Sequence, residues 1–204
     1  MDLYLSRTEA IFQNSSLWFN YRSQCGTMGE GLCIAVSGTP GTGKSTVCQL
    51  LSSDFTIVSL SELAEEYGCL DSVDLADGAA PVDIHRLADE WEFVGESLTF
   101  IDGHLSHFLD VDGIVLLRSK PEDLRSRLLT RGYDEVKITA NIEWEMISGT
   151  WSELVEFEIE TPLLEIDTSS KSPEQTAETI RSWLASNLPS DSIQTLRADA
   201  ISWL

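Results

Sequence analysis

From Leu32 onward the chain alternates short, largely apolar runs with longer stretches in which apolar residues recur every three or four positions. The runs read as strands: LCIAVS (32–37), FTIVSL (55–60), LTFID (98–102), GIVLLR (113–118) and PLLEID (162–167). Short runs rich in Val, Ile, Leu and Phe suit strands covered on both faces. The stretches between them read as helices: one from Lys44, then 61–67, 83–93 and 121–131, a long one from about 135 to 158, and one over 172–187. Ser172 followed by Pro173 and Glu174 is a sound helix start, because proline fits the first turn. Such βα alternation predicts an α/β protein with a parallel sheet between two layers of helices. Residues 188–204 break at Pro189 and read as a tail with room for one short helix.

Residues 1–30 do not share this rhythm. SSLWFNYRSQ scatters aromatics without a period, and Met28 lies just before the first strand. Two readings stand: an extra amphipathic segment packed on the domain, or upstream translation ahead of a start at Met28. The remainder, 31–187, has the size of one domain.

Charge changes the picture. Against 13 Lys and Arg stand 34 Asp and Glu, a net charge of −21 spread along the chain. Such a surface repels nucleic acid, so no direct nucleic-acid binding is expected. A dispersed acidic coat suits a salt-rich cytoplasm, where ions screen its self-repulsion; the plainer reading is an acidic protein, with or without a basic partner. The four cysteines, Cys25, Cys33, Cys48 and Cys69, form no CxxC pair and read as reduced thiols. No apolar run approaches the ~20 residues that span a bilayer, and the N-terminus lacks the marks of a secretory signal. A cytoplasmic protein without a membrane partner is expected.

The chemistry starts where the first strand breaks. Gly38-Thr-Pro-Gly-Thr-Gly-Lys-Ser45 matches G-x-x-x-x-G-K-[ST] between a predicted strand and a predicted helix, the context that gives the motif its meaning. Glycines let the backbone curl so that successive N–H groups face phosphate oxygens, and the helix start adds partial positive charge. Gly41, Gly43, Lys44, Ser45 and Thr46 would then bind a nucleoside triphosphate. Lys44 reaches the β and γ phosphates, Ser45 ligates Mg²⁺, and Thr46 reaches the α phosphate. Asp102, at the tip of LTFID, is the second candidate for the Mg²⁺ shell. His104, two residues on, could orient or deprotonate a water near the γ phosphate. His107 reads as an ordinary loop histidine, and H-x-x-H without a third ligand nearby argues against zinc. Asp110-Val-Asp-Gly113 fits D-x-x-G, yet nothing reads N-K-x-D, so guanine selectivity is unsupported.

Arg118, Arg125, Arg127, Arg131 and Lys137 concentrate in one region of a cation-poor chain. Arg125 and Arg127, two apart, cannot share a helix face. Arg131 precedes Gly132, where an arginine on a lid can swing over the phosphates. Lys137, Asn141 and Glu145 recur every four residues, either as a solvent-facing stripe or as a functional face.

These residues resemble one family. GTPGTGKST, the IDGH after the third strand, and above all R-G-Y-x-x-x-K-x-x-x-N-I-x-x-E (Arg131, Gly132, Tyr133, Lys137, Asn141, Ile142, Glu145) look like the adenylate kinase isoenzyme six family, with archaeal and eukaryotic members. The resemblance spans roughly Leu32 to Asn187. It implies a P-loop nucleoside monophosphate kinase-like three-layer sandwich on a five-stranded parallel sheet, with a monophosphate-binding region over about 61–95 and a short lid over about 131–141. It implies Arg131 as the lid arginine and catalytic group beside Lys44, Asp102 and His104. Arg86, in a segment like the family's monophosphate-side helix, is the candidate for the acceptor phosphate.

Substrates implied by kinship are ATP with Mg²⁺ and a nucleoside monophosphate, AMP first, with accompanying ATPase activity. A second implied role is an ATPase acting in small ribosomal subunit maturation through a platform ribosomal protein. The chain departs from the family at Gly103, where a bulky residue is usual, and in its small acidic stretch from Gly68 to Ala80.

Overall fold

A computed structural model describes residues 31–71 and 80–203. The N-terminal stretch with Met28 and Cys25, and most of the acidic excursion after Gly68, lie outside the described residues.

Five strands form one parallel sheet: β1 (Cys33–Ser37), β2 (Thr56–Ser59), β3 (Thr99–Asp102), β4 (Gly113–Arg118) and β5 (Leu163–Asp167). Their spatial order is β2-β3-β1-β4-β5. From central β1 the chain first builds outward on one side and then crosses to β4 on the other. That reversal opens a crevice at the C-terminal end of β1, where open α/β sheets bind ligands.

The described helices are α1 (Lys44–Leu51), α2 (Leu60–Glu66), α3 (Ile84–Glu90), α4 (Pro121–Thr130), α5 (Glu135–Met146), α6 (Gly149–Glu156), α7 (Pro173–Ala185) and α8 (Ile193–Ala198). Side-chain alternation on β1 sorts the two outer layers. Ile34 and Val36 face Val47, Cys48 and Leu51 of α1 and Ile180 and Trp183 of α7. Cys33 and Ala35 belong to the opposite core with Leu63, Leu87, Trp151, Leu154 and Ile193 from α2, α3, α6 and α8. Both faces of β1 and β4 are buried, as their unbroken apolar runs require. The fold is the expected P-loop nucleoside monophosphate kinase-like three-layer sandwich.

α4 and α5 stand apart, sharing a small cluster of Leu124, Leu128 and Ile138 backed by Tyr133 and Ile142. Gly132, at φ 76°, joins them. Its N–H donates to Leu129 O (3.0 Å) while that of Tyr133 donates to Leu128 O (3.3 Å), the paired bonds of a Schellman end. Gly132 is therefore the stop of α4.

Two boundaries differ from expectation. The helix predicted over 135–158 is two helices, broken at Ser148, which takes the left-handed conformation (φ 54°). Ser148 Oγ there accepts a hydrogen bond from Arg118 Nη2 (3.2 Å), so a buried cation holds the kink. The helix predicted to run to Phe93 ends at Glu90, because Trp91 turns extended to bury its ring. The tail does form a short helix, α8.

Candidate functional site

The loop between β1 and α1 wraps the N-terminus of α1. Gly38 has φ 129°, and a side chain there would place Cβ 2.2 Å from Leu117 O; Gly43 caps α1 at φ 103°. Only glycine meets the first demand, and L-residues rarely meet the second. Thr42 N and Oγ1 both donate to Thr39 O (3.2 and 2.9 Å), closing the curl. Ser45 and Thr46 stand exposed in the first turn of α1.

Lys44 lies back along the loop, its Nζ donating to Gly38 O (2.7 Å) and Thr39 O (3.1 Å). Burial, its largest perturbation, pushes its pKa down to about 8; the negative charge of Asp102 opposes this and the positive charge of Arg131 adds to it. Those couplings bring Asp102 and Arg131 to the same locus as Lys44. Asp102 pairs with Val36 across β1 and β3, beside the start of the loop. Gly103 is explained by packing, since a Cβ there would fall 2.3 Å from Leu60 Cβ.

His104 is exposed to the cleft, yet desolvation by the surrounding walls, followed by the Lys44 charge, pushes its pKa down to about 4. It is therefore neutral at physiological pH. His107 is not an ordinary loop histidine: it is buried, with Nδ1 2.8 Å from Ser37 Oγ. Ser37 spends its single hydroxyl proton on His104 O (2.7 Å), so the hydrogen on His107 Nδ1 must donate to Ser37. Nε2 lies 3.2 Å from Glu153 Oε2 without a hydrogen-bond partner among the described residues.

Two clefts flank the loop. One of about 360 Å³ runs along Gly41, Gly43 and Thr46 to Arg127, Arg131 and Thr168. The other, of about 330 Å³, lies beyond Gly38, Thr39 and Pro40 and is walled by His104, Asn141, Trp144 and Glu153. The loop is the partition between them.

Several of these residues carried no role in the sequence. Arg127 ties α4 to the loop, with Nη1 reaching Gly41 O (3.4 Å) and Thr168 Oγ1 (3.2 Å) and Nη2 reaching Thr168 O (3.1 Å). Arg125, on the other face of α4, pairs with Glu135. The cation cluster marked the region but could not rank its members. The supposed stripe on α5 is no solvent-facing row: Asn141 lines a cleft and Glu145 is buried. Arg86 is exposed on α3, paired with Glu90 (2.8 Å) and donating to Gly68 O (3.2 Å), away from both clefts' linings. The D-x-x-G stretch enters β4 at Gly113, at the N-terminal end of the strands and opposite the loop, so it cannot meet a phosphate held there.

Among the described residues no three His, Cys, Asp or Glu gather as a metal site. One exposed hydroxyl, Ser45, and one partly exposed carboxylate, Asp102, fit an ion that brings its own phosphate and water ligands. No described helix is long and apolar enough to cross a membrane.

A parallel sheet ordered 2-3-1-4-5 and a phosphate loop after its central strand, with Arg127 and Arg131 lining the cleft beside it, define a P-loop nucleotide kinase-like protein. Comparison with known proteins narrows the class. The model of the AAA domain family matches residues 34–148. A protein of Archaeoglobus fulgidus named "Putative adenylate kinase" is 38% identical over 150 residues, covering 73% of this chain and 80% of its own. Relatives of the same name from Thermococcus onnurineus (40% over 159 residues, 76% and 85% covered) and Halobacterium salinarum (36% over 152 residues, 74% and 89% covered) match similarly. The chain belongs to this P-loop family of archaeal adenylate kinase-like proteins, the adenylate kinase isoenzyme six family to which its motifs pointed.

Proposed function

We propose that this chain transfers the γ-phosphate of ATP to a nucleoside monophosphate, AMP first, and hydrolyses ATP as an accompanying activity. The observation that carries this reading is the pair of clefts on opposite sides of one phosphate loop. Transfer between two nucleotides needs two sites meeting at a phosphoryl group, whereas hydrolysis needs one. The names of the relatives agree with it.

In this reading the triphosphate lies along Gly41, Gly43, Ser45 and Thr46, and Lys44 leaves the carbonyls of Gly38 and Thr39 to meet the β and γ oxygens. Ser45 and Asp102 would hold the Mg²⁺ that arrives with ATP, which would supply charge neutralisation on the phosphates. Arg131 covers the phosphates from α4 as the lid closes and excludes water. The acceptor is already an oxyanion, so no general base is needed; alignment and charge stabilisation do the work. Arg86, paired with Glu90 and outside the linings of both clefts, takes no part in this reading.

The ATPase alternative has one observation in its favour: neutral His104 faces the cleft beside Thr39 and can accept a hydrogen bond from a water there. In that role the chain would act as a small-subunit maturation ATPase, its acidic surface meeting a basic platform ribosomal protein. A nucleotide panel separates the two: ADP formed from ATP plus each monophosphate, against phosphate released from ATP alone. AMP-dependent ADP formation exceeding hydrolysis supports the kinase; a rate indifferent to every monophosphate refutes it.

A further inference from the structure

We propose that Glu145 is a positioning residue for the phosphate loop, and that the C-terminal segment, through Trp203, holds it in that posture. Glu145 sits on α5, 2% exposed, with both carboxylate oxygens committed. Oε1 accepts from Arg118 Nε (2.7 Å), Ser119 N (3.2 Å) and Trp203 Nε1 (3.1 Å). Oε2 accepts from the Thr39 hydroxyl, inside the phosphate loop itself. Thr39 O in turn accepts from Lys44 Nζ. One carboxylate thus joins α5, the end of β4, the segment carrying Trp203 and the loop that carries the lysine.

The other members of the cluster are arranged to hold this one still. Arg118, itself 2% exposed, also donates to Glu165 Oε1 (2.8 Å), Glu145 O (3.1 Å) and Ile201 O (3.3 Å), and lies 5.9 Å from the centre of the Trp203 ring. Glu165 Oε2 accepts from Ile201 N (3.0 Å), and Glu165 Oε1 from Trp151 Nε1 (2.7 Å). The guanidinium is shared between two carboxylates, so its loss would strand both. Buried networks of this kind are costly when half satisfied and rigid when complete. Residues 199–203 complete it, although nothing in their sequence suggests chemistry.

A merely structural role would lower stability and leave the loop's function intact. A positioning role acts through Thr39, so it must vanish once the Thr39 hydroxyl is gone. The test is a double-mutant cycle on the full chain with Thr39→Val and Trp203→Phe, plus Thr39→Ser as the conservative variant. Readouts are transfer from ATP to AMP and MgATP affinity by calorimetry, with thermal melts to establish folding. Thr39→Val should lower kcat about 10- to 100-fold with KM within about threefold, the scale of a misplaced reacting group. Trp203→Phe should lower kcat about three- to tenfold, Thr39→Ser should recover most of the Thr39→Val loss, and the double variant should be no worse than Thr39→Val alone.

Losses that multiply, a Thr39→Ser variant as impaired as Thr39→Val, or wild-type kcat in folded Trp203→Phe would each overturn the proposal. Should Thr39→Val not fold, Trp203→Phe and Thr39→Ser decide alone. The kinetic readout rests on the phosphotransfer reading. If wild-type protein makes no ADP from ATP and AMP, that reading fails separately, and the same cycle is scored on MgATP dissociation constants.

Discussion

Replacing Lys44 with methionine should make the nucleotide-free protein more stable while removing its affinity for ATP. The ammonium is buried under the loop, and burial pushes its pKa from 10.5 down to about 8. At neutral pH that difference costs the folded state about 3 kcal/mol. The two hydrogen bonds from Nζ to Gly38 O and Thr39 O offset this by roughly 1 kcal/mol each. Methionine keeps the apolar stem without the charge, so the net gain is about 1 kcal/mol, or a rise of about 2–4 °C in Tm for a chain this size.

The sign of the pH dependence gives a sharper check. A lysine depressed in the folded state leaves the unfolded chain holding more protons between about pH 8 and 10.5, so wild-type stability gains from this group as pH rises through that window and loses it on the way down. Lys44→Met lacks the term. Urea melts followed by far-UV circular dichroism from pH 7 to 10.5, without nucleotide, should therefore show a variant advantage that shrinks to zero or reverses by pH 10.5. A variant less stable than wild type at pH 7, or an advantage that does not change with pH, refutes the reasoning.

Gly38→Ala should fold poorly or with a displaced loop, losing about 2–4 kcal/mol, because its Cβ meets Leu117 O at 2.2 Å in a conformation L-residues avoid; chemical denaturation checks it. Arg127→Ala releases the Gly41 and Thr168 contacts that shape the larger cleft, and MgATP affinity by calorimetry should fall about tenfold with the fold intact. Cys33 should resist alkylation at pH 8 in the native protein, read by peptide mass spectrometry, because burial and then Asp112 push its thiol up to about 12. Stability should rise from low to molar KCl as salt screens the net charge of −21; indifference to salt would count against an acidic coat fitted to a salt-rich cytoplasm.

The sheet was legible because its central strands β1 and β4, buried throughout, read as nearly continuous apolar runs, and all five predicted runs became strands of the sheet. The phosphate loop was legible because its glycines answer a backbone demand that local sequence records. Boundaries set by distant partners were not. The break at Ser148 depends on Arg118, some thirty residues earlier, and no periodicity in 135–158 announces it. Glu145 stood in a motif yet read equally well as part of a solvated stripe, since its burial comes from β4 and the tail. Trp203 carried no signal at all: a tryptophan beside the chain end reads as packing, and its role exists only where Arg118, Glu145 and Glu165 converge. His107 misled for the same reason, because its neighbours Ser37 and Glu153 are far away in sequence.

Every functional statement depends on a polyphosphate seated on the loop between β1 and α1, and calorimetric titration of MgATP into wild-type protein and Lys44→Met tests this most directly. Saturable heat in the wild type and none in the folded variant is the expected result. No heat in the folded wild type, or the same isotherm in both proteins, would contradict the account.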